Sequence, residues 1–262
     1  MRVALTIAGS DSGGGAGIQA DLKTFAAHGV HGASAITAVT AQNSVAVTEF
    51  VALAPRMVVA QIEAVATDMA VAAAKTGMLA NREIVAAVAE AVRRFAIPHL
   101  VVDPVMVAKT GDSLLDPGAQ RAYVEHLFPV ASVLTPNLLE AEAFLGRRVR
   151  GLEEMRQAAR ELYAKGARVV VVKGGHLAGD AVDVFFDGER LEELSTPRIM
   201  TKNTHGTGCT FSAAIAARLA LGHEVLEAVR GAKEYVTEAI RRSYPLGAGH
   251  GPVDQLHPLR PS

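Results

Sequence analysis

The sequence predicts an α/β fold, with a doubly wound, mostly parallel central sheet and helices on both faces. Three observations carry that expectation. Strand-like and helix-like segments alternate along the whole chain. The runs Val3–Ala8, broken only by Thr6, and Val169–Val172 are apolar at consecutive positions, as in strands covered on both faces. The polar residues of unusual type stand at the ends of strand segments.

Taken in order, Val3–Ala8 opens the sheet and ends in Gly9-Ser10-Asp11-Ser12-Gly13-Gly14-Gly15-Ala16-Gly17. An amphipathic helix follows over about Ile18–His28. Ala33–Thr40 is a strand that ends at Ala41-Gln42-Asn43-Ser44, and Val45–Leu53 alternates loosely, as an edge or flap strand does. Pro55 opens a helix that aligns Val58, Ile62, Val65 and Met69 on one face. Lys75-Thr76-Gly77-Met78-Leu79 reads as a short strand end. Arg82–Phe95 repeats Ile84, Val85, Val88, Val92 and Phe95 at helical spacing. His99–Met106 is a buried strand that stops at the carboxylate of Asp103.

Val107–Leu115 is polar and contains glycine, hence a loop, and Asp116-Pro117 supplies a cap and a first-position proline for the next helix. Ala131–Leu134 is a strand, after which Thr135-Pro136-Asn137-Leu138-Leu139-Glu140 opens a helix. Glu154–Lys165 is helical and stops at Gly166. Asp187-Gly188, between Val182–Phe186 and Leu191–Ser195, signals a hairpin. The last helix runs over about Glu224–Arg242, and residues 245–262, rich in Gly, Pro and His, are expected on the surface. No repeat, low-complexity segment or linker divides the chain, so residues 1–262 are expected to form one domain.

Composition narrows the function. Twenty-six Lys and Arg against 27 Asp and Glu leave a formal charge of −1, which makes no case for nucleic acid or an anionic membrane as partner. No apolar run approaches the roughly 20 residues that span a bilayer. One cysteine excludes an intrachain disulfide and fits a reducing compartment, so a cytoplasmic location is expected.

The stretch Asn203-Thr204-His205-Gly206-Thr207-Gly208-Cys209-Thr210 runs into the Ala-rich helix Phe211–Ala217. The first N–H groups of a helix lack internal partners and carry partial positive charge, and glycines let a ligand come close. The product is an anion hole suited to phosphate. Cys209 stands at its rim, where a lowered thiol pKa is expected. In a doubly wound sheet, ligands bind at the carboxyl ends of the strands. Gly9-Ser10-Asp11, Gln42, Asp103, Asn137 with Glu140, and Lys173 all fall there, on five strands. Each alone also reads as structural: Asp103 before proline as a turn, Glu140 as a helix-start carboxylate, Lys173 as a solvated strand end. Together they suit phosphoryl transfer. Asp103 and Glu140 are the hard oxygen donors that Mg²⁺ prefers, Lys173 is a point charge for phosphate, and Cys209 is a candidate weak base.

These motifs resemble the hydroxymethylpyrimidine/phosphomethylpyrimidine kinase family of thiamin biosynthesis, within the ribokinase-like superfamily. The resemblance rests on Ala8–Asp21, Thr40-Ala41-Gln42-Asn43, Gly77-Met78-Leu79, Asp103-Pro104-Val105-Met106, Thr135-Pro136-Asn137 with Glu140, Val172-Lys173-Gly174-Gly175 and Asn203–Thr210. It implies a three-layer ribokinase-like fold with a small β flap, near residues 42–53 here, over the substrate. It implies ATP and Mg²⁺ and two successive phosphorylations, of 4-amino-5-hydroxymethyl-2-methylpyrimidine and then of its monophosphate. Carried over by position, Gln42 bonds the aminopyrimidine edge, with Gly9, Asp21, Met78 and Val105 around the ring. Asp103 and Glu140 serve the metal and its waters. Lys173, with Asn137 and Thr207, meets the nucleotide. Gly206, Gly208 and Cys209 form the anion hole, with Cys209 where ribokinase relatives carry an aspartate base. A homodimer is the expectation for this superfamily. The sequence departs from the family at Ala46, where glycine is usual.

Gln42 independently suits the ring, since its amide offers a donor and an acceptor side by side. The nearest rival is a pyridoxal or pyridoxine kinase of the same fold. A non-catalytic pyrimidine sensor is a rival of another class. A nicotinamide oxidoreductase is weaker: Gly15-x-Gly17-x-x-Ala20 resembles a dinucleotide fingerprint, but the acidic residue about 20 positions on is missing.

Overall fold

Alternation of apolar faces organises the sheet. In β1 (Val3–Asp11) Ala4 packs into one core layer while Leu5 and Ile7 face the other. Val101 and Val102 divide in the same way in β5 (Leu100–Val102), as do Val171 and Val172 in β7 (Val170–Lys173). Successive strand residues point to opposite faces, so a strand apolar at every position needs cover on both. The computed structural model describes residues 1–106, 114–116, 118–175, 177 and 179–260. The loop expected over Val107–Leu115 falls mostly outside the described residues, as does Pro117.

The described strands form one nine-stranded sheet in the order β3-β2-β1-β4-β5-β6-β7-β8-β9. The remaining strands are β2 (His31–Gln42), β3 (Val47–Ala52), β4 (Val71–Thr76), β6 (Val133–Leu134), β8 (Ala181–Phe186) and β9 (Leu191–Thr196). From β2 across to β7 every pairing is parallel. The β2–β3, β7–β8 and β8–β9 pairings are antiparallel.

One face is covered by α2 (Pro55–Asp68), α3 (Arg82–Arg94), α4 (Ala119–Ala122) with the π-helical turn Tyr123–Leu127 that continues it, α5 (Leu138–Leu145) and α6 (Leu152–Ala164). The other is covered by α1 (Gly17–Ala27), α7 (Thr207–Ala220) and α8 (Val225–Arg241). This is the three-layer arrangement expected. Helix α7 is buried along nearly its whole length, which its alanines permit.

Local signals behave as their chemistry requires. Pro55 opens α2, Gly166 at φ +116° follows α6, and Gly188 at φ +98° turns the β8–β9 hairpin. Strand β4 begins earlier than expected, because Val71-Ala72-Ala73-Ala74 carries no strand pattern of its own and is held by β1 and β5. The turn between β2 and β3 is tied by Asn43 Oδ1, which accepts from the amides of Val45 and Ala46. Ala46 is not at positive φ, so its side chain in place of glycine brings no strain.

One expectation is overturned in part. The segment after α8, expected on the surface, is exposed at residues 245–248, 250 and 258–260, but Gly251, Pro252, Val253, Asp254, Gln255 and His257 are buried. Its glycines mark close approach of chains: a Cβ on Gly251 would lie 2.3 Å from the Tyr244 carbonyl oxygen.

Candidate active site

The carboxyl ends of the parallel strands converge on a cavity of about 1080 Å³. Gly9, Ser10 and Asp11 come to it from the end of β1, Gln42 from β2, Gly77 and Met78 from just beyond β4. Asp103 and Val105 follow β5, Asn137 and Glu140 follow β6, and Lys173 ends β7. The N-terminus of α7 supplies Gly206, Thr207, Gly208 and Cys209. Gln42 and Cys209 therefore share one cavity wall.

The entrance to α7, where the sequence leads one to expect an anion hole, is shaped by conformation. Gly206 precedes α7 at φ +81°, a left-handed value that turns the chain into the helix; the Thr207 amide donates to the Thr204 carbonyl at 3.3 Å, which leaves the amides of Gly208 and Cys209 as the free donors of the first turn. At Gly208 a Cβ would lie 3.4 Å from Lys173 Nζ and 3.7 Å from Asp103 Oδ2. The ammonium and the carboxylate thus stand directly over the first turn of α7. Lys173 Nζ is 2.8 Å from Asp103 Oδ1, with side chains 15% and 2% exposed. Ser212 Oγ is 3.2 Å from Asp103 Oδ2, which fastens that carboxylate to α7. Burial works against the Lys173 ammonium, but the Asp103 and Glu140 carboxylates outweigh it and hold its pKa above the ordinary lysine value.

Asn137 and Glu140 form a reciprocal cap on α5. Asn137 Oδ1 accepts from the Glu140 amide at 2.9 Å, and Glu140 Oε2 accepts from the Asn137 amide at 2.7 Å. The helix-start reading of Glu140 is therefore correct, and so is its place on the cavity wall.

Two expectations fail here. Asp21, assigned to the ring pocket, is fully buried and does not line the cavity. Its carboxylate is taken by Lys75 Nζ at 2.9 and 3.0 Å and by Thr6 Oγ1 at 2.6 Å. A charge with no access to water needs such partners, and Lys75, arriving on β4, supplies them. The Cys209 thiol is not lowered either. Burial pushes it up to about 11; Lys75 opposes the rise, while Asp21 and Asp103 add to it. Desolvation outweighs the Lys75 charge, so the thiol titrates above neutral pH although the residue is only half-buried on the cavity wall.

Comparison with known proteins identifies this arrangement. Residues 11–254 match the phosphomethylpyrimidine kinase family model. The chain belongs to the phosphomethylpyrimidine kinase family. A relative from Rhizobium meliloti, a hydroxymethylpyrimidine/phosphomethylpyrimidine kinase, is 54% identical over 259 residues, covering 97% of each chain. The thiamine biosynthesis bifunctional protein ThiED of Geobacter sulfurreducens is 51% identical over 253 residues, but the chain spans only 52% of its length. Among solved structures, pyridoxal kinase from Staphylococcus aureus with AMP-PCP and pyridoxal superposes with a TM-score of 0.91 at 36% identity, covering 98% of this chain and 94% of that one. The ribokinase-like architecture follows.

Within this kinase family fold, burial pushes the Glu140 carboxyl from 4.5 up to about 7; Lys173 opposes the rise and Asp103 adds to it. The folded chain thus holds the Glu140 proton more tightly than the unfolded chain does. The stability this group contributes is greatest below about pH 4.5 and is lost as pH climbs to about 7. Glu140→Gln keeps an acceptor for the Asn137 amide and titrates nothing. In metal-free buffer, wild type should lose Tm relative to Glu140→Gln across that interval; parallel Tm curves would show the carboxyl ionises normally.

From the sequence, Lys75 and Ser212 have no assigned role, and Asp11 only a place at the rim. Lys75 carried a usable signal, a lone charge in an apolar strand. Asp11 carried less: its carboxylate accepts from the amides of Gly13, Gly15 and Ala16 and from His205 Nε2 at 2.9 Å. Ser212 carried none, since a serine inside an Ala-rich helix looks like surface or core alike.

Proposed function

We propose that this chain transfers the γ-phosphoryl group of ATP to the hydroxymethyl oxygen of 4-amino-5-hydroxymethyl-2-methylpyrimidine, and then to a phosphate oxygen of the resulting monophosphate. The observation that carries this is the single cavity shared by Gln42 and the amides at the start of α7, with Lys173 and Asp103 over those amides. Phosphoryl transfer asks a protein mainly for positioning and charge stabilisation, and both are present. In each step the acceptor oxygen bonds to the γ-phosphorus and the bond to the β–γ bridging oxygen breaks, releasing ADP; in the first step the hydroxyl proton passes to an oxygen of the transferred phosphoryl group and from there to solvent.

Gln42 would read the aminopyrimidine edge, beside Gly9, Met78 and Val105. Gly206, Gly208 and the Cys209 amide would hold the oxygens of the transferring group, with Lys173 beside them. Thr207 and Asn137 stand on the nucleotide side. From there the cavity extends past β9 to Val236 and Ile240 of α8, which gives length for a second ligand. The donor set fits Mg²⁺: the carboxylates of Asp103 and Glu140 are close enough for one to raise the pKa of the other, an interaction a divalent cation relieves. When bound, the ion would neutralise charge on the phosphates. A cytoplasmic location and a homodimer complete the reading. They are supported by the lone Cys209 and by the exposed apolar residues Val39, Phe50 and Val51 at the β2–β3 edge. Among the described residues, no helix is long and apolar enough to cross a membrane.

The similarity to a pyridoxal kinase keeps that alcohol as a second acceptor. An ADP-release assay with both alcohols decides between them: a higher kcat/KM for pyridoxal overturns the assignment, and pyrimidine binding without turnover would make the chain a sensor. Gln42→Leu should raise KM for the pyrimidine about tenfold with little change in kcat, since it leaves the ring's polar edge unpaired. An unaltered KM removes Gln42 from the site.

A further inference from the structure

The C-terminal segment, exposed at Gly247, Ala248 and His250 and buried from Gly251 to Gln255, touches loops at both ends of the cavity. Gly249 N donates to Ser44 Oγ at 3.1 Å and His250 N to the Ser44 carbonyl at 3.0 Å, in the turn directly after Gln42. His250 Nδ1 lies 2.9 Å from the Lys202 carbonyl. His205 N donates to the Gly251 carbonyl at 3.0 Å, and Val253 N returns to the His205 carbonyl at 3.1 Å. Gln255, 2% exposed, donates Nε2 to the Gly15 carbonyl at 3.1 Å and lies 3.4 Å from Thr210 Oγ1.

The Gly15 carbonyl is the atom against which Gly206 is seated: a Cβ on Gly206 would lie 1.9 Å from it. Gln255 therefore fixes the oxygen that shapes the entrance to α7. Gln255 does not itself line the cavity, but its Nε2 lies 3.4 Å from where a Cβ on the lining residue Gly206 would be. The other end of the segment is equally close-fitting, because a Cβ on Gly249 would lie 1.9 Å from the Ser44 carbonyl oxygen. Hydrogen bonds to α8 anchor the segment between these ends: Asp254 N to the Ala239 carbonyl at 2.9 Å, and Tyr235 Oη to the Gln255 carbonyl.

We infer that residues 247–255 form a strap that holds the anion hole at a set distance from the pyrimidine pocket, with Gln255 the positioning residue at the phosphate end and Gly249 at the acceptor end. The inference rests on the activity proposed above for its kinetic readout. Its structural readout is independent of that activity. Transfer demands that donor and acceptor be held to within about an ångström, so a strap joining the two subsites acts on the rate.

The test is steady-state kinetics with amide hydrogen exchange on Gln255→Met and Gly249→Ala. Gln255→Met keeps the side-chain length and removes the donor. It should lower kcat about tenfold, leave KM for the pyrimidine within about twofold, and speed exchange at residues 205–210. Gly249→Ala should raise KM for the pyrimidine about tenfold, leave kcat within about twofold, and speed exchange at residues 42–47. Equal losses in both parameters from either variant, or exchange unchanged at both loops, overturns the strap. If wild type phosphorylates neither alcohol while the two exchange patterns appear, the strap stands and the activity assignment falls.

Discussion

Lys173→Met should lower kcat by about 10²–10³-fold, the loss seen when one preorganised donor to a developing charge is removed. The ammonium is held over the first turn of α7 by Asp103, with 2.8 Å between Nζ and Oδ1. Methionine keeps the stem and deletes the charge. Stability should fall as well, because the change strands Asp103 as a buried carboxylate. Breaking such a pair costs about 3–5 kcal/mol, and the low end applies here because Ser212 stays within bonding distance. The two effects separate in a second variant. Adding Asp103→Asn removes the stranded charge, so Tm should largely return while turnover does not. Phosphoryl transfer within tenfold of wild type in Lys173→Met would remove the ammonium from the reaction.

Gly206→Ala should be the most damaging of the small substitutions. Its φ of +81° costs an L-residue about 1–2 kcal/mol. The new methyl would also lie 1.9 Å from the Gly15 carbonyl oxygen and 3.0 Å from its carbon. Backbone cannot give way as a side-chain tip can, so the start of α7 must move. Displacement of the phosphate cradle by an ångström should cost about 10²-fold in kcat. Gly222→Ala isolates the strain from the clash. Gly222 has φ +91° and nothing within 4 Å of the added carbon. It should lose about 1–2 kcal/mol of stability and no activity. Equal kinetic effects from the two alanines would mean the Gly15–Gly206 contact is irrelevant to transfer.

The legible parts of the site were those where residue type and strand position coincide. Asp103, Lys173 and Gln42 end parallel strands, and a parallel sheet delivers every strand end to one rim. The Gly-Thr-Gly stretch before an Ala-rich run announced a helix start, and α7 begins at Thr207. Asp21 was misplaced for the same reason that Lys75 was passed over. Each is one half of a buried pair whose members are 54 residues apart, and only folding brings them together. Cys209 was misjudged because a helix terminus can be seen in sequence and the depth of a thiol cannot. Desolvation is a property of everything packed around the sulfur, and here it prevails. The C-terminal segment misled by composition, since glycine and proline serve equally in a loose tail and in chains packed too closely for side chains.

By itself the sequence determined the order of strands and helices, the two-faced burial of the central strands and the identity of the groups that reach the rim. Those are local matters, set by apolar periodicity, caps and turn residues acting over a few positions. Only the tertiary structure decided which charges are paired, how far the thiol is desolvated, and that residues 249–255 lie against Gly15, His205 and the turn after Gln42. Each of these depends on neighbours distant in the chain, whose electrostatic and steric effects exist only once the layers have closed.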